Sequence, residues 1–144
     1  MGQNGFVYGP NNHIAGTVGN SYSTASVTGE AGVGGLVGGN YVGVVSNSYS
    51  TGSVTGNSSV GGLVGINWEG TGTVNNSFWD IETSGQSASA GGTGKNTTEM
   101  KDIATFSGEG WNIIAVASGQ TDLAYIWNIV TGQSYPFLSW QPLS

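Results

Sequence analysis

Two carboxylates near the middle of the chain, Asp80 and Glu82, are the acids whose type and spacing suit catalysis or metal binding. On one strand, alternate residues share a face, so this pair reads as a candidate Ca²⁺ site or an acid and base acting on a glycosidic bond. The other acids, Glu30, Glu69, Glu99, Asp102, Glu109 and Asp122, do not recur near them. His13 is the only histidine and stands beside Asn11 and Asn12. No motif places a nucleophile or carboxylate near it, so a surface loop is the better reading. The serines lack a Gly-x-Ser-x-Gly elbow. Asn57-Ser58-Ser59, Asn75-Asn76-Ser77 and Asn96-Thr97-Thr98 match the glycosylation triplet, as chance predicts in so Asn- and Ser-rich a chain. No catalytic constellation emerges, and a non-enzymatic protein is expected.

A different chemistry is suggested by Asn40-Tyr41 and Asn67-Trp68-Glu69. An aromatic ring beside amides suits a sugar: the ring packs on the apolar C–H face and the amides bond hydroxyls. Asn40, Tyr41, Asn67, Trp68 and Glu69 are therefore the candidate ligand-binding residues. The competing reading has Tyr41 and Trp68 folding back over the core. Rows of hydroxyls, Ser26 and Thr28 against Ser53 and Thr55, read as a solvated β-face.

These candidates sit on a repeat. Gly34-Gly35-Leu36-Val37-Gly38 returns 27 residues later as Gly61-Gly62-Leu63-Val64-Gly65, and Tyr22 returns at the same interval as Tyr49. A fixed period of this size marks a solenoid. Three passes align: Val18, Val45 and Val74; Asn20, Asn47 and Asn76; Ser21, Ser48 and Ser77; Tyr22, Tyr49 and Phe78. Leu36 and Leu63 share a frame that Phe6 joins loosely. Each pass holds three short β-branched runs bounded by Gly, which read as strands. Stacked passes place equal frames about 4.8 Å apart. Val and Leu columns then fill a narrow interior, Asn columns bond amide to amide at corners, and the aromatic column stacks ring on ring.

The expectation is an all-β chain: a right-handed parallel β-solenoid of about three coils with a C-terminal cap containing a short helix and strands. Repeats occupy 1–82, a Ser/Gly-rich connecting loop 83–95 and a capping region 96–144. In the last, Asn96-Thr97-Thr98-Glu99 reads as a helix start, with Met100, Ile103 and Ala104 on one face. Passes differ in length at one corner, across Tyr8 to Gly16, Gly39 to Gly43 and Ile66 to Gly72. Solenoid loops of this kind often form the binding face.

Composition narrows the partners. Only 7% of residues are charged, the net charge is −6, and Lys95 and Lys101 are the only basic residues. Nucleic acid requires a basic footprint, so it is excluded. No apolar run reaches the roughly 20 residues of a membrane-spanning helix, so no membrane insertion is expected. There is no Cys, hence no disulfide or thiolate metal site. The N-terminus lacks the basic region and apolar core of a leader. With the repeat already under way there, it reads as a fragment.

Gly-Gly-Leu-Val-Gly followed by Asn-Ser-Tyr resembles the GLUG motif of bacterial and archaeal surface proteins, across roughly residues 5–78. Ser77-Phe78-Trp79-Asp80 and the ending Gln133-Ser134-Tyr135-Pro136-Phe137-Leu138 resemble the segments found C-terminal to such repeats. The resemblance implies an extracellular or cell-surface, adhesin-like module with a glycan or surface protein as partner. It carries over no catalytic residue and no cofactor. Two alternatives stay open: a spacer or self-assembling segment, pairing end to end through the N-terminal coil edge, and a polysaccharide-active enzyme using Asp80 and Glu82.

Overall fold

The computed structural model describes residues 1–7, 13–69 and 71–143. The chain forms two compact units, Met1–Lys95 and Asn96–Ser144. It is mostly β, with three short helical segments among the described residues.

In the first unit, one pass of 27 residues contains five short strands where the sequence suggests three. They are Val37–Asn40, Val44–Ser46, Tyr49–Ser50, Val54–Thr55 and Ser58–Gly61. The extra breaks come from tight corners. Asn47 has φ 46°, and its frame-mates Asn20 and Asn76 both have φ 48°. Asn is one of the few non-Gly residues that tolerates this left-handed conformation.

Passes pair in parallel with equal frames in register. Val45 lies between Val18 and Val74, Tyr49 between Tyr22 and Phe78, Val54 beside Val27 and Val64 beside Val37. The core cluster is Val18, Leu36, Val37, Val45, Leu63, Val64 and Trp79, with Val74 packed against it. Burying each Val or Leu contributes about 1.5–3 kcal/mol relative to exposure. The Asn-Ser-aromatic triplet divides three tasks. Asn turns the corner. Ser48 Oγ donates to Ser46 O (2.7 Å) and accepts from Ser21 N–H (3.1 Å), and Ser77 repeats this with Asn75 O (2.8 Å) and Ser48 N–H (3.2 Å). The Tyr22 and Tyr49 rings stack at 5.3 Å with an 11° tilt.

The paired glycines have a steric cause. A Cβ on Gly34 or Gly61 would collide with the carbonyl oxygen of Val37 or Val64, respectively. Phe6 does not share the Leu36 frame. Asn4 pairs with Asn40, so Phe6 lies beyond that corner and pairs antiparallel with Ile14.

After Phe78–Asp80 the chain leaves the ladder. Asp80 Oδ1 accepts from Glu82 N–H (2.9 Å) and Thr83 N–H (3.1 Å), starting the helix Ile81–Ser84. The stretch read from sequence as a connecting loop also closes this end of the stack. Thr83 Oγ1 donates to Thr51 O (2.6 Å) and Gln86 Nε2 to Val54 O (2.8 Å). Ser89 Oγ accepts from Leu63 N–H (3.2 Å) and Val64 N–H (2.9 Å). Thr93–Lys95 then pairs in parallel with Phe78–Asp80. Edge groups that would otherwise face solvent or another chain are thereby satisfied.

In the second unit, Asn96 and Glu99 form a reciprocal capping box: Asn96 Oδ1 accepts from Glu99 N–H (2.8 Å), and Glu99 Oε1 from Asn96 N–H (3.3 Å). The single helix read from sequence is two pieces, Glu99–Lys101 and Ile103–Ser107. Asp102 between them is extended (φ −101°, ψ 123°) and caps Ala104 N–H. Met100 and Phe106 are buried, whereas Ala104 is exposed. Ile113–Ala115 pairs in parallel with Trp127–Ile129, which pairs antiparallel with Phe137–Leu138. Trp111 packs between Phe106 (4.8 Å) and Trp127 (4.9 Å).

Candidate functional site

The passes differ in length at a single corner. It comes after the ladder Asn4, Asn40, Asn67 and precedes the ladder Thr17, Val44, Thr73. Between them run residues 5–16, 41–43 and 68–72. Tyr8, Asn11 and Asn12, read as part of the first loop, lie outside the described residues. His13 pairs with Val7 in a short antiparallel hairpin there.

An amide ladder supports this corner from inside. Asn4 Nδ2 donates to Asn40 Oδ1 (2.9 Å), and Asn40 Nδ2 donates to Asn67 Oδ1 (2.8 Å). Asn67 Nδ2 ends the row on Gly72 O (3.1 Å). Asn4 and Asn40 also reach the carbonyls of Val44 (3.3 Å) and Thr73 (3.2 Å). Amide-to-amide bonding is found in this Asn40–Asn67 frame. The Asn20, Asn47 and Asn76 column expected to show it turns corners instead, with Asn47 Oδ1 buried and without a hydrogen-bond partner among the described residues. Asn40 is fully buried, so its amide is spent on the fold. The side chains of this corner that reach the surface are the half-buried Tyr41 and the exposed Trp68 and Glu69.

Tyr41 and Trp68 lie together, with ring centroids 5.8 Å apart and planes tilted by 44°. Their exposures differ for a local reason. Tyr41 folds back over Gly39, where a Cβ would come within 2.6 Å of the Tyr41 ring. One pass on, the place of Gly39 is taken by Ile66. Trp68 has no such seat and stands 59% exposed. Its backbone is held: Trp68 N–H donates to Asn40 O (2.9 Å), Gly72 N–H to Trp68 O (2.9 Å), and Thr71 Oγ1 to Tyr41 O. Glu69 beside it is exposed. The result is an outward indole on a fixed turn, flanked by a half-buried phenol and a carboxylate. Sequence reasoning missed Gly39 and Ile66, although their inequality within one frame was the available signal.

Asp80 and Glu82 do not alternate on one strand. Asp80 is fully buried and ends a strand as the helix cap, and exposed Glu82 lies within the helix. The cap turns the chain between them, which period-two spacing could not show. Among the described residues no three His, Cys, Asp or Glu side chains gather closely enough to hold a metal ion. Thr28 and Thr55 pair in register as exposed neighbours on a two-stranded ladder.

Residues 29–55, the length of one pass, match the family model described as the GLUG motif. The chain carries a GLUG motif. A protein of Evansella cellulosilytica named as a Gly-rich membrane protein is 41% identical over 66 residues, covering 46% of this chain and 6% of that relative. The chain thus spans a small part of the relative's length. No solved structure matches. Among the described residues, no helix is long and apolar enough to cross a membrane. Within the GLUG pass, each element of Gly-Gly-Leu-Val-Gly has a position: glycine at the close approach, Leu36 and Val37 in the core.

Proposed function

We propose that this chain is a non-enzymatic module of a surface or membrane-associated extracellular protein, folded as a right-handed parallel β-solenoid. Its work is ligand display or adhesion at the variable corner, with a glycan as ligand. The observation that carries this reading is Trp68: a large indole left outward on a hydrogen-bonded turn, beside Tyr41. Binding proteins use such rings as rigid apolar platforms. Glu69 supplies an acceptor for sugar hydroxyls, and the Asn40 ladder holds the platform at fixed height. The GLUG motif and the Gly-rich membrane protein relative support the surface setting.

A glycan array printed with the chain and its Trp68→Ala variant tests this. Binding to one glycan class, lost in the folded variant, is expected. Equal binding by both would overturn the site. No binding by the parent chain would favour the second reading, a spacer, which the seating of Tyr41 on Gly39 and the burial of Asn40 support.

A further inference from the structure

We infer that the ligand of the Tyr41–Trp68 corner is a glycan with free amino groups, of the glucosamine type, whose ammonium lies against the Trp68 indole and beside the Glu69 carboxylate. This deepens the glycan reading of that corner and rests on it.

The acids of the chain divide by what they hold. Asp80 accepts from Glu82 and Thr83 N–H, Glu99 from Asn96 N–H, Asp102 from Ala104 N–H and Asp122 from Ala124 N–H. Glu30 accepts from Asn57 Nδ2 of the next pass (2.9 Å). Each of these carboxylates serves a turn, a helix start or a neighbouring pass. Glu69 is exposed and bonds to none of the described residues. It directly follows Trp68, whose backbone is tied to Asn40 O and Gly72 N–H. A carboxylate with no work in the fold therefore stands next to a fixed, outward indole.

That combination selects for positive charge. The face of an aromatic ring attracts a cation, and an indole does so most strongly. The chain uses the same contact elsewhere: the Lys101 ammonium stands 5.1 Å from the centroid of the Tyr135 ring. At the corner, the Tyr41 ring backs the indole with a second aromatic, 5.8 Å away and tilted by 44°. No Lys or Arg offsets Glu69. Lys95 is set in the ladder against Asp80, Lys101 belongs to the second unit, and the chain has no other. His13 lies in the hairpin of the first pass, two passes from Trp68. A uronate or sulfated glycan would bring like charge to Glu69 with no cation to receive it. A plain or N-acetylated sugar would use the ring and offer the carboxylate only hydroxyls. In glucosamine the amino group is borne on a ring carbon. Its C–H face can pack on the indole while the ammonium at its rim meets the carboxylate of the adjacent residue.

The test titrates the full chain, by calorimetry, with three β-1,4-linked hexasaccharides: of glucosamine, of N-acetylglucosamine and of glucose. The glucosamine hexamer should bind most tightly, and the other two about fivefold or more weakly. Glu69→Gln should bring the glucosamine hexamer down to the level of the others and leave those unchanged. Trp68→Ala should remove binding of all three. Both substitutions fall at exposed positions, so circular dichroism and melting should not change. Glu109→Gln removes the same charge outside the corner and should leave every affinity in place. Equal affinity for the three hexamers, lost in Trp68→Ala, would overturn the amino-group assignment and leave the glycan reading standing. Glucosamine binding that survives Trp68→Ala, or that Glu109→Gln weakens as much as Glu69→Gln does, would reflect general attraction to an acidic chain and overturn the proposal. No binding of the glucosamine hexamer would overturn it too, and the glycan reading would then fall only with a blank array. A lysine hexapeptide bound as tightly as the glucosamine hexamer would overturn it in favour of a protein ligand.

Discussion

The Tyr41 ring occupies the space that a side chain on Gly39 would fill, its edge 2.6 Å from where that Cβ would stand. Two residues apart in sequence, they act as one bulky unit, and the next pass replaces the pair by Ile66 and Trp68. This exchange separates a covering aromatic from a presented one.

Gly39→Ala should displace the Tyr41 ring. Overpacking of this kind costs about 1–3 kcal/mol, visible as a lower urea midpoint, and Tyr41 should become more accessible to nitration. Unchanged stability with a protected Tyr41 would contradict the seat.

Ile66→Gly should do the reverse for Trp68. With the seat vacated, the indole can fold down as Tyr41 does. The Trp68 indole N–H, assigned by NMR, should then show less solvent exposure, and ligand binding at the corner should weaken.

Asn40→Ala cuts the amide ladder at its centre. It removes the acceptor for Asn4 Nδ2 and the donor to Asn67 Oδ1. A buried polar group left without a partner costs about 1–3 kcal/mol. Denaturant unfolding should show a loss in that range, larger than for Asn67→Ala at the end of the row.

Ser89→Ala strips the acceptor from Leu63 and Val64 N–H. Those two amides should exchange faster with solvent while Tyr49 and Val54 stay protected. Uniform exchange across the unit would mean the closure is not local.

Asp80→Ala removes the cap of the Ile81–Ser84 helix. Loss of such a cap costs about 0.5–2 kcal/mol. A shift of that size in the melting of the first unit, with the glycan profile unchanged, is expected if Asp80 serves the fold and not a ligand.

The periodicity made much of the first unit legible. Frames one pass apart predicted which valines stack and that tyrosines pair, because a parallel ladder sets equal frames side by side. The amide column formed at Asn4, Asn40 and Asn67 and not at Asn20, Asn47 and Asn76, whose left-handed backbone serves the corner. Asn96-Thr97-Thr98-Glu99 was legible too, since a capping box is local. Phe6 misled because a hairpin intervenes between its frame and the next.

Residue types at fixed intervals are enough to define the repeat, the register of its passes and the single corner where they differ. Three-dimensional packing was needed to establish which corner aromatic faces outward, that Asn40 is consumed inside, and that Asp80 caps a helix while the stretch after it closes the last edge. Those outcomes depend on whether a neighbouring side chain or backbone group is close enough to occupy a space or satisfy a hydrogen bond, and interval along the chain does not encode that distance.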